Sequence, residues 1–354
     1  MRSNSLASRK VCFIVGILSL TFIIVVLLRN SHRIAKLNLP LALLAPASTR
    51  NFSDIAAEPE ELFAGFNNET GVNEHIIPDY AHFVLFDQAG KLDFTSFLCI
   101  LAAIKVHRPS VVYLHSDSPL YAGSNNHNRY WLALTDASKS LNVSLRTRHL
   151  PRPSHVFGQR ISSVWHASDV SRIGLLWQYG GVVLDRDQLI LKPLHDYRRF
   201  ELVLGWPEGQ FIGTQLLMAH PRARLLHPWL EGYRQYRPSM WYYNAAQLPT
   251  QTLLSERPEL VHRERWRFGV HNLAHEIYGS TPWPDWHQFS AIHLLSRHKY
   301  LLSSKDQALL PKGSDQIDEF SVQTYETPFG EMARYILHEV PPKLASPALW
   351  PGTH

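Results

Sequence analysis

Cysteine is nearly missing from this chain: its 354 residues hold two, Cys12 and Cys99. Cys12 falls inside an apolar N-terminal run. That leaves Cys99 alone downstream, which excludes an internal disulfide and a cysteine-built metal site there. A downstream domain without cross-links must stand on its own core, and ~270 residues can supply one. Charge is also sparse, with 18% Asp, Glu, Lys and Arg against 45% hydrophobic residues and a net charge of +5. The basic residues are scattered and form no stripe with interleaved aromatics, so nucleic acid is not an expected partner. No internal repeat is present. A mildly basic surface of this kind suits an anionic small molecule or a membrane face.

What is present begins with one long uncharged stretch. Val11 to Leu28, VCFIVGILSLTFIIVVLL, is flanked by Arg9-Lys10 and Arg29. Its length reaches the short end of the range that spans a bilayer as a helix. A cleaved signal peptide has a shorter apolar region with a small-x-small site close behind. The nearest such pattern, Ala45-Pro46-Ala47, lies too far downstream. Sequons at Asn51, Asn68 and Asn142 all follow the run, and their use requires a secretory lumen. The expectation is a single-pass, type II membrane protein with a luminal folded part. It would have a cytoplasmic tail at 1–10, a transmembrane anchor at 11–28, a luminal stem at 29–75 and one folded domain at 76–345.

Pattern density rises at Ile76. HFVLF (82–86) and VVYLH (111–115) are short β-rich runs. Between them Phe94, Phe97, Leu98, Leu101 and Ile104 recur at helical spacing. Strand, helix and strand open a βαβ unit with a parallel pair, which points to an α/β fold. VSLRTRHL (143–150) reads as another strand. Over 162–179 the spacing of Val164, Ala167, Val170, Ile173, Leu176 and Trp177 predicts an amphipathic helix. That helix stops at Gly180-Gly181. A buried strand follows, and 201–206 and 211–220 read as two more.

The strand after Gly181 runs straight into Asp185-Arg186-Asp187. Side chains at i and i+2 of an extended segment share a side, so the two acids can converge with Arg186 turned away. A charge in a core is costly unless compensated. Ligands of open α/β sheets bind at the carboxyl ends of strands, and hard divalent cations take carboxylates plus substrate phosphates. Asp169 and Arg172, spaced i, i+3, share one face of the preceding helix.

The segment HASDVSRIGLLWQYGGVVLDRDQLILKPL (166–194) resembles the signature of glycosyltransferases with a DXD sugar-binding region. Its similarity is to the family 32 group of α-1,4-galactosyltransferase-like and α-1,4-N-acetylglucosaminyltransferase-like enzymes. IPDYAHFVLF (77–86) resembles that family's opening strand, and WYYNAAQLP (241–249) a segment downstream of the DXD. The resemblance implies a GT-A, Rossmann-like nucleotide-sugar-binding fold in a Golgi or ER–Golgi membrane protein. Carried over by position, Asp187 is the direct ligand of Mn²⁺ (or Mg²⁺), and Asp185 bridges the metal and the nucleotide ribose. Asp169 and Arg172 reach the donor sugar and its phosphate, with Gly180 and Gly181 counted among the donor-binding residues. His293, in an apolar context near the C-terminus, is the expected further metal ligand. Trp241 and Asn244 are placed at the donor or acceptor pocket.

The implied activity is metal-dependent transfer of a sugar from a nucleotide diphosphate donor, UDP-Gal or UDP-GlcNAc. The acceptor is a hydroxyl of a glycolipid or glycoprotein glycan, with retention of configuration. No residue stands out as a covalent nucleophile. The alternative reading is a catalytically inactive GT-A-fold scaffold or chaperone on the same anchor. A metal-dependent phosphohydrolase would need more clustered Asp and His ligands than this strand end offers.

Overall fold

The computed structural model describes residues 59–87, 92–118, 129–298, 302–307 and 317–339. The 11–28 run, Asn51 and the stem up to residue 58 lie outside them. Among the described residues no helix is long and apolar enough to cross a membrane.

The first unit is the expected βαβ. Strand β1 (Tyr80–Val84) pairs in parallel with β2 (Val111–Ser116), placing Ala81 opposite Val112. Helix α1 (Phe94–Ala102) joins them. Its N-cap Asp93 accepts the Ser96 N–H, and its last turn widens into a π-turn that stops at left-handed Arg108. Helix α2 (Arg129–Ser140) leads to β3 (Ser144–His149), parallel to β2. Helix α3 (Val164–Tyr179) starts at Ser163, whose side chain accepts the His166 N–H. It delivers the chain to β4 (Gly181–Leu184), parallel to β1 on the side away from β2.

After β4 come β5 (Gln188–Ile190), β6 (Leu202–Gly205), β7 (Leu216–Ala219), β8 (His262–Glu264) and β9 (Ala291–His293). The main sheet runs β8-β6-β7-β4-β1-β2-β3, with β7 antiparallel to both neighbours and the other pairs parallel. Strands β5 and β9 form a separate antiparallel pair. The strand expected over 211–220 pairs only from Leu216. Phe211–Thr214 stays a loop because Ile212 N is held by Thr250 Oγ1 and Gly213 N by the Gly205 carbonyl.

Strand alternation splits the core into two layers. Ala81, Phe83 and Leu85 face α1, whereas Val84 and Phe86 face α3. Phe83 is fully buried. A side chain of that size contributes ~1.5–3 kcal/mol on burial.

The folded body takes in residues 59–75, which the sequence had assigned to an exposed stem. Phe63 is buried against His220, and Val72 N donates to the Arg199 carbonyl. Asn68 is 2% exposed. Its Nδ2 donates to Glu201 Oε2 (3.1 Å) and the Glu259 carbonyl (3.0 Å), while its Oδ1 accepts Glu201 N. A glycan on that nitrogen would break these bonds and open a buried ion-pair network, so Asn68 is not a glycosylation position in this fold. Asn142 differs: it is exposed, in a left-handed turn after α2.

Candidate active site at the carboxyl ends of β1 and β4

The chain leaves β1 for β2 on one side, and β4 returns to its other side. That makes the β1/β4 boundary a switch point, where α/β sheets open a crevice beyond the strand ends. Val84 at the end of β1 and Phe86 just after it line it, together with Ser168 and Arg172 from α3 and the Asp185–Asp187 segment after β4.

The two acids converge there by a route the sequence did not show. Gln188 N donates to the Asp185 carbonyl at 3.0 Å, so residues 185–188 close a tight turn instead of extending β4. Asp185 N is held by the Gln215 carbonyl at 2.7 Å, and Asp185 Oδ1 accepts the Arg186 N–H. Arg186 borders the crevice beside the two acids and ion-pairs with Asp93, the N-cap of α1, at 2.8 Å. It pins the turn to the opposite core layer.

Asp187 is buried. Its Oδ2 accepts both Ser296 N (3.0 Å) and Ser296 Oγ (2.8 Å), and its Oδ1 lies 3.2 Å from His293 Nε2. The antiparallel register of β5 with β9, which sets His293 opposite Gln188, delivers that imidazole. Leu295 then adopts a left-handed conformation (φ 49°), a costly one for leucine. The Ser296 amide and hydroxyl, one residue further on, both reach Asp187.

The other wall is a guanidinium between two acids. Arg172 Nη2 donates to Asp169 Oδ1 at 2.8 Å, and Nη1 meets Asp185 Oδ2 at 2.9 Å. Thr214 Oγ1 also donates to Asp169 Oδ1 at 3.0 Å. The surface ion pair that i, i+3 spacing alone would give is here a buried one, and Arg172 Nε has no partner among the described residues. Burial works against the charge of Arg172, but the Asp185 and Asp169 carboxylates outweigh it and hold the group protonated. Burial pushes the Asp169 carboxyl up, and Arg172 offsets that in part. Burial would also raise Asp187, yet His293 and Ser296 draw it well below the usual carboxylate range. Burial would lower His293, but the Asp187 carboxylate raises it.

Donor atoms of Asp185, Asp187 and His293 all lie within 4.8 Å of one another. Octahedral ligands ~2.1 Å from a cation stand ~3.0 Å apart along an edge. The 3.2 Å separation between His293 Nε2 and Asp187 Oδ1 fits such an edge. Three carboxylates against one guanidinium leave a deficit of two positive charges when His293 is neutral (3 − 1 = 2). The donor set therefore fits one divalent cation of the Mn²⁺ or Mg²⁺ type.

Other expected site residues fall elsewhere. Gly180 caps α3 and Gly181 starts β4, four residues before Asp185 and thus ~13 Å from it along the strand. Both have positive φ, and a Cβ on Gly181 would sit 2.7 Å from the Tyr80 carbonyl oxygen. Their role is to reverse the chain tightly, not to touch a donor. Asn244 is buried and spent on backbone: Oδ1 accepts Arg237 N, and Nδ2 donates to the Gly232 and Gln235 carbonyls. It does not border the pocket. Trp241, half exposed, does line the crevice, edge-on to Trp165 at 5.2 Å. Thr214, Ser296 and Trp165 were not anticipated. No local pattern marks them, because the partners of the first two are 45 and 109 residues away in sequence.

A second grouping, Asp79, His107 and His195, lies at the amino-terminal ends of the strands. It does not fit a cation. His107 Nδ1 accepts the Leu194 N–H (3.3 Å), so the neutral ring carries its proton on Nε2. Burial keeps it neutral, lowering its pKa to about 3. Asp79 already has Arg198 at 3.3 Å.

Residues 71–204 match the family model described as "Glycosyltransferase sugar-binding region containing DXD motif". Among curated proteins the chain is 22% identical over 287 residues to Glucan organizing enzyme 1 of Cryptococcus neoformans, covering 73% of this chain and 70% of that one. It is 29% identical over 125 residues to lactosylceramide 4-alpha-galactosyltransferase of Homo sapiens, covering 34% of each. The same enzyme of Pongo pygmaeus matches at 29%, over 34% of this chain and 56% of that sequence. The chain thus spans about a third to a half of the galactosyltransferase sequences it matches. Among solved structures, PaToxG Glycosyltransferase is 14% identical with a TM-score of 0.33, covering 79% of this chain and 94% of that one. WbbM bifunctional glycosyltransferase is 9% identical at 0.40, covering 77% and 51%. Residues 71–204 of this chain thus match a glycosyltransferase sugar-binding region, with Asp185 and Asp187 standing as its DXD pair.

Proposed function

We propose that the β1/β4 crevice transfers a sugar from a nucleotide diphosphate donor, UDP-Gal or UDP-GlcNAc, to a glycan hydroxyl. One observation carries the reading: Asp185, Asp187 and His293 converge on a point beside the buried Arg172 guanidinium. Asp185, Asp187 and His293 would hold a divalent cation, which would supply Lewis acidity toward the diphosphate. Asp169 and Thr214 fix Arg172, which adds a preorganised positive charge beside the same point. Ser296 and His293 fix Asp187, while Val84 and Phe86 exclude water from the floor. The enclosed volume is about 90 Å³, room for an ion and phosphate oxygens. The rings of a donor then lie outward, across exposed Trp165 and Trp241.

In the reaction the anomeric C–O bond to the diphosphate breaks, a C–O bond to the acceptor forms on the same face, and the acceptor hydroxyl proton passes to the departing diphosphate oxygen. Among the described lining residues the only carboxylates are Asp185 and Asp187, and both are already engaged. That supports departure and attack on one face, with retention. A membrane anchor at 11–28, a Golgi or ER–Golgi location and a glycolipid or glycoprotein acceptor complete the proposal. They rest on the uncharged run, the sequons at Asn51 and Asn142 after it and the similarity to the galactosyltransferases.

A panel of UDP-sugars with Mn²⁺, comparing donor hydrolysis by the wild type and Asp187→Asn, tests the reading. Hydrolysis of one preferred donor, lost in the variant, is the expected result. Equal hydrolysis by both proteins refutes the metal site. Mn²⁺-UDP binding without turnover of any donor favours the scaffold alternative.

A further inference from the structure

A larger cavity, about 270 Å³, lies on the other flank of α3, over the first half of β1, the later half of β2 and the carboxyl end of β3. One helical face of α3 lines it, through Ser171, Gly174, Leu175 and Gln178. Arg172, on the neighbouring face, points into the DXD crevice. The same helix therefore separates two compartments.

Three features mark this cavity as built for a ligand. Gly174 sits mid-helix, and a Cβ there would meet nothing within 4 Å. Helix-interior glycine is unfavourable compared with alanine, and here no neighbour requires its smallness; its effect is to keep the cavity open. Ser171 is 4% exposed and its buried Oγ has no hydrogen-bond partner among the described residues. On the same helix Ser168 Oγ does bond back, to the Val164 carbonyl. A buried hydroxyl left unpaired is costly, and a ligand acceptor would satisfy it.

The third feature is a fixed tautomer chain. The Gly180 carbonyl can only accept, so His82 Nε2, 3.1 Å away, carries the proton. Burial keeps both rings neutral, lowering His82 to about 4 and His115 to about 3. His82 Nδ1 then accepts from His115 Nε2 at 3.0 Å, which leaves His115 Nδ1 as an acceptor. The sheet-side wall is aromatic, with His82 parallel to Tyr113 at 5.2 Å and Tyr179 beyond. Among the described residues Arg148, its guanidinium 5.9 Å from the Tyr113 ring, is the one permanent charge on the lining, and no carboxylate lines it.

We propose that this cavity is a second ligand site, for a single six-membered ring carrying an anionic group. Apolar cavities of ~150 Å³ accept benzene, so 270 Å³ admits one substituted ring and not two linked ones. The ring packs on Tyr113 and Tyr179, the anion meets Arg148, and ring substituents satisfy Ser171 Oγ and His115 Nδ1. The site does not depend on the transferase reading, and its test is separable from that one.

The full chain is titrated with sodium benzoate and with sodium glucuronate, each beside a neutral counterpart, benzyl alcohol and methyl glucoside. Binding is followed by ligand-observed saturation-transfer NMR. At least one anion binds at millimolar concentration, and its neutral counterpart binds more weakly. Benzoate alone assigns an aromatic anion, glucuronate alone an acidic sugar; either result supports the site. Gly174→Leu fills the cavity and Arg148→Gln removes the charge, each weakening binding by about tenfold or more. Asp187→Asn leaves the affinity unchanged. Should Gly174→Leu not fold, exposed Arg148→Gln carries the test. Failure of both anions to bind, equal binding of the neutral compounds, or full affinity in a folded Gly174→Leu or in Arg148→Gln overturns the proposal.

Discussion

Replacing Arg172 by glutamine removes the one cation that holds Asp169 and Asp185 together. Both contacts are short, 2.8 and 2.9 Å, but they are not equal. The Asp169 side chain is 9% exposed and the Asp185 side chain 29%. Breaking a buried pair by removing one partner costs ~3–5 kcal/mol, and we assign most of that to Asp169, since solvent screens Asp185. At about 2–4 °C per kcal/mol for a domain of this size, Tm falls by about 6–20 °C. The loss depends on pH with a definite sign. Burial already raises the Asp169 carboxyl, and without Arg172 it rises further. The native variant then binds more protons than the unfolded chain between the unfolded value, about 3.9, and the raised one. The deficit relative to wild type is therefore full at pH 8 and shrinks as pH falls through the raised value toward 4. The double variant Asp169→Asn/Arg172→Gln removes both charges and recovers at least half of the loss. Metal-free melts from pH 4 to 8 by circular dichroism measure all three. A pH-independent deficit, or a double variant as unstable as the sum of its singles, refutes the assignment.

The remaining predictions concern the support of Asp187, two glycines and two sequons. Ser296→Ala keeps the amide bond to Asp187 but loses the 2.8 Å hydroxyl bond. Mn²⁺ affinity, read by the Mn²⁺-induced rise in Tm, falls about 10–100-fold, and turnover recovers at high metal concentration. Gly174→Ala raises Tm, because alanine is better in a helix by about 1 kcal/mol and its Cβ meets nothing. Gly181→Ala lowers Tm, since it destabilises the fold by ~1–2 kcal/mol for the positive φ alone and by more for the approach to Tyr80. In protein secreted from a glycosylating host, endoglycosidase digestion followed by mass spectrometry finds glycan on Asn142 and none on Asn68.

Much of the scaffold could be read from local sequence because its signals are local. Helix α3 announces itself by apolar spacing and a closing Gly-Gly. Strands β1 and β2 announce themselves by β-rich runs around a helical segment. The DXD pair stands out because two acids follow a wholly apolar strand. The stem boundary was misjudged for the same reason: 59–75 lacks pattern, and it is held by distant partners such as Glu201 and Arg199. Asn244 and Asn68 looked available because nothing in a tripeptide or a Tyr-Asn segment reveals that an amide is already fully bonded.

The sequence by itself determined the α/β order of elements, the place of the acids after an apolar strand and the helix face carrying Asp169 and Arg172. All of these follow from periodicity and glycine positions within a few residues of each other. Only the tertiary structure decided that Asp185 and Asp187 sit in a turn, that His293 and Ser296 complete the site, and that α3 has a second cavity behind it. Those depend on which strands pair and in what register. The contact of His293 with Asp187 spans 106 residues, and it exists because β5 and β9 bury their apolar side chains together, a choice made by the whole core and not by either segment.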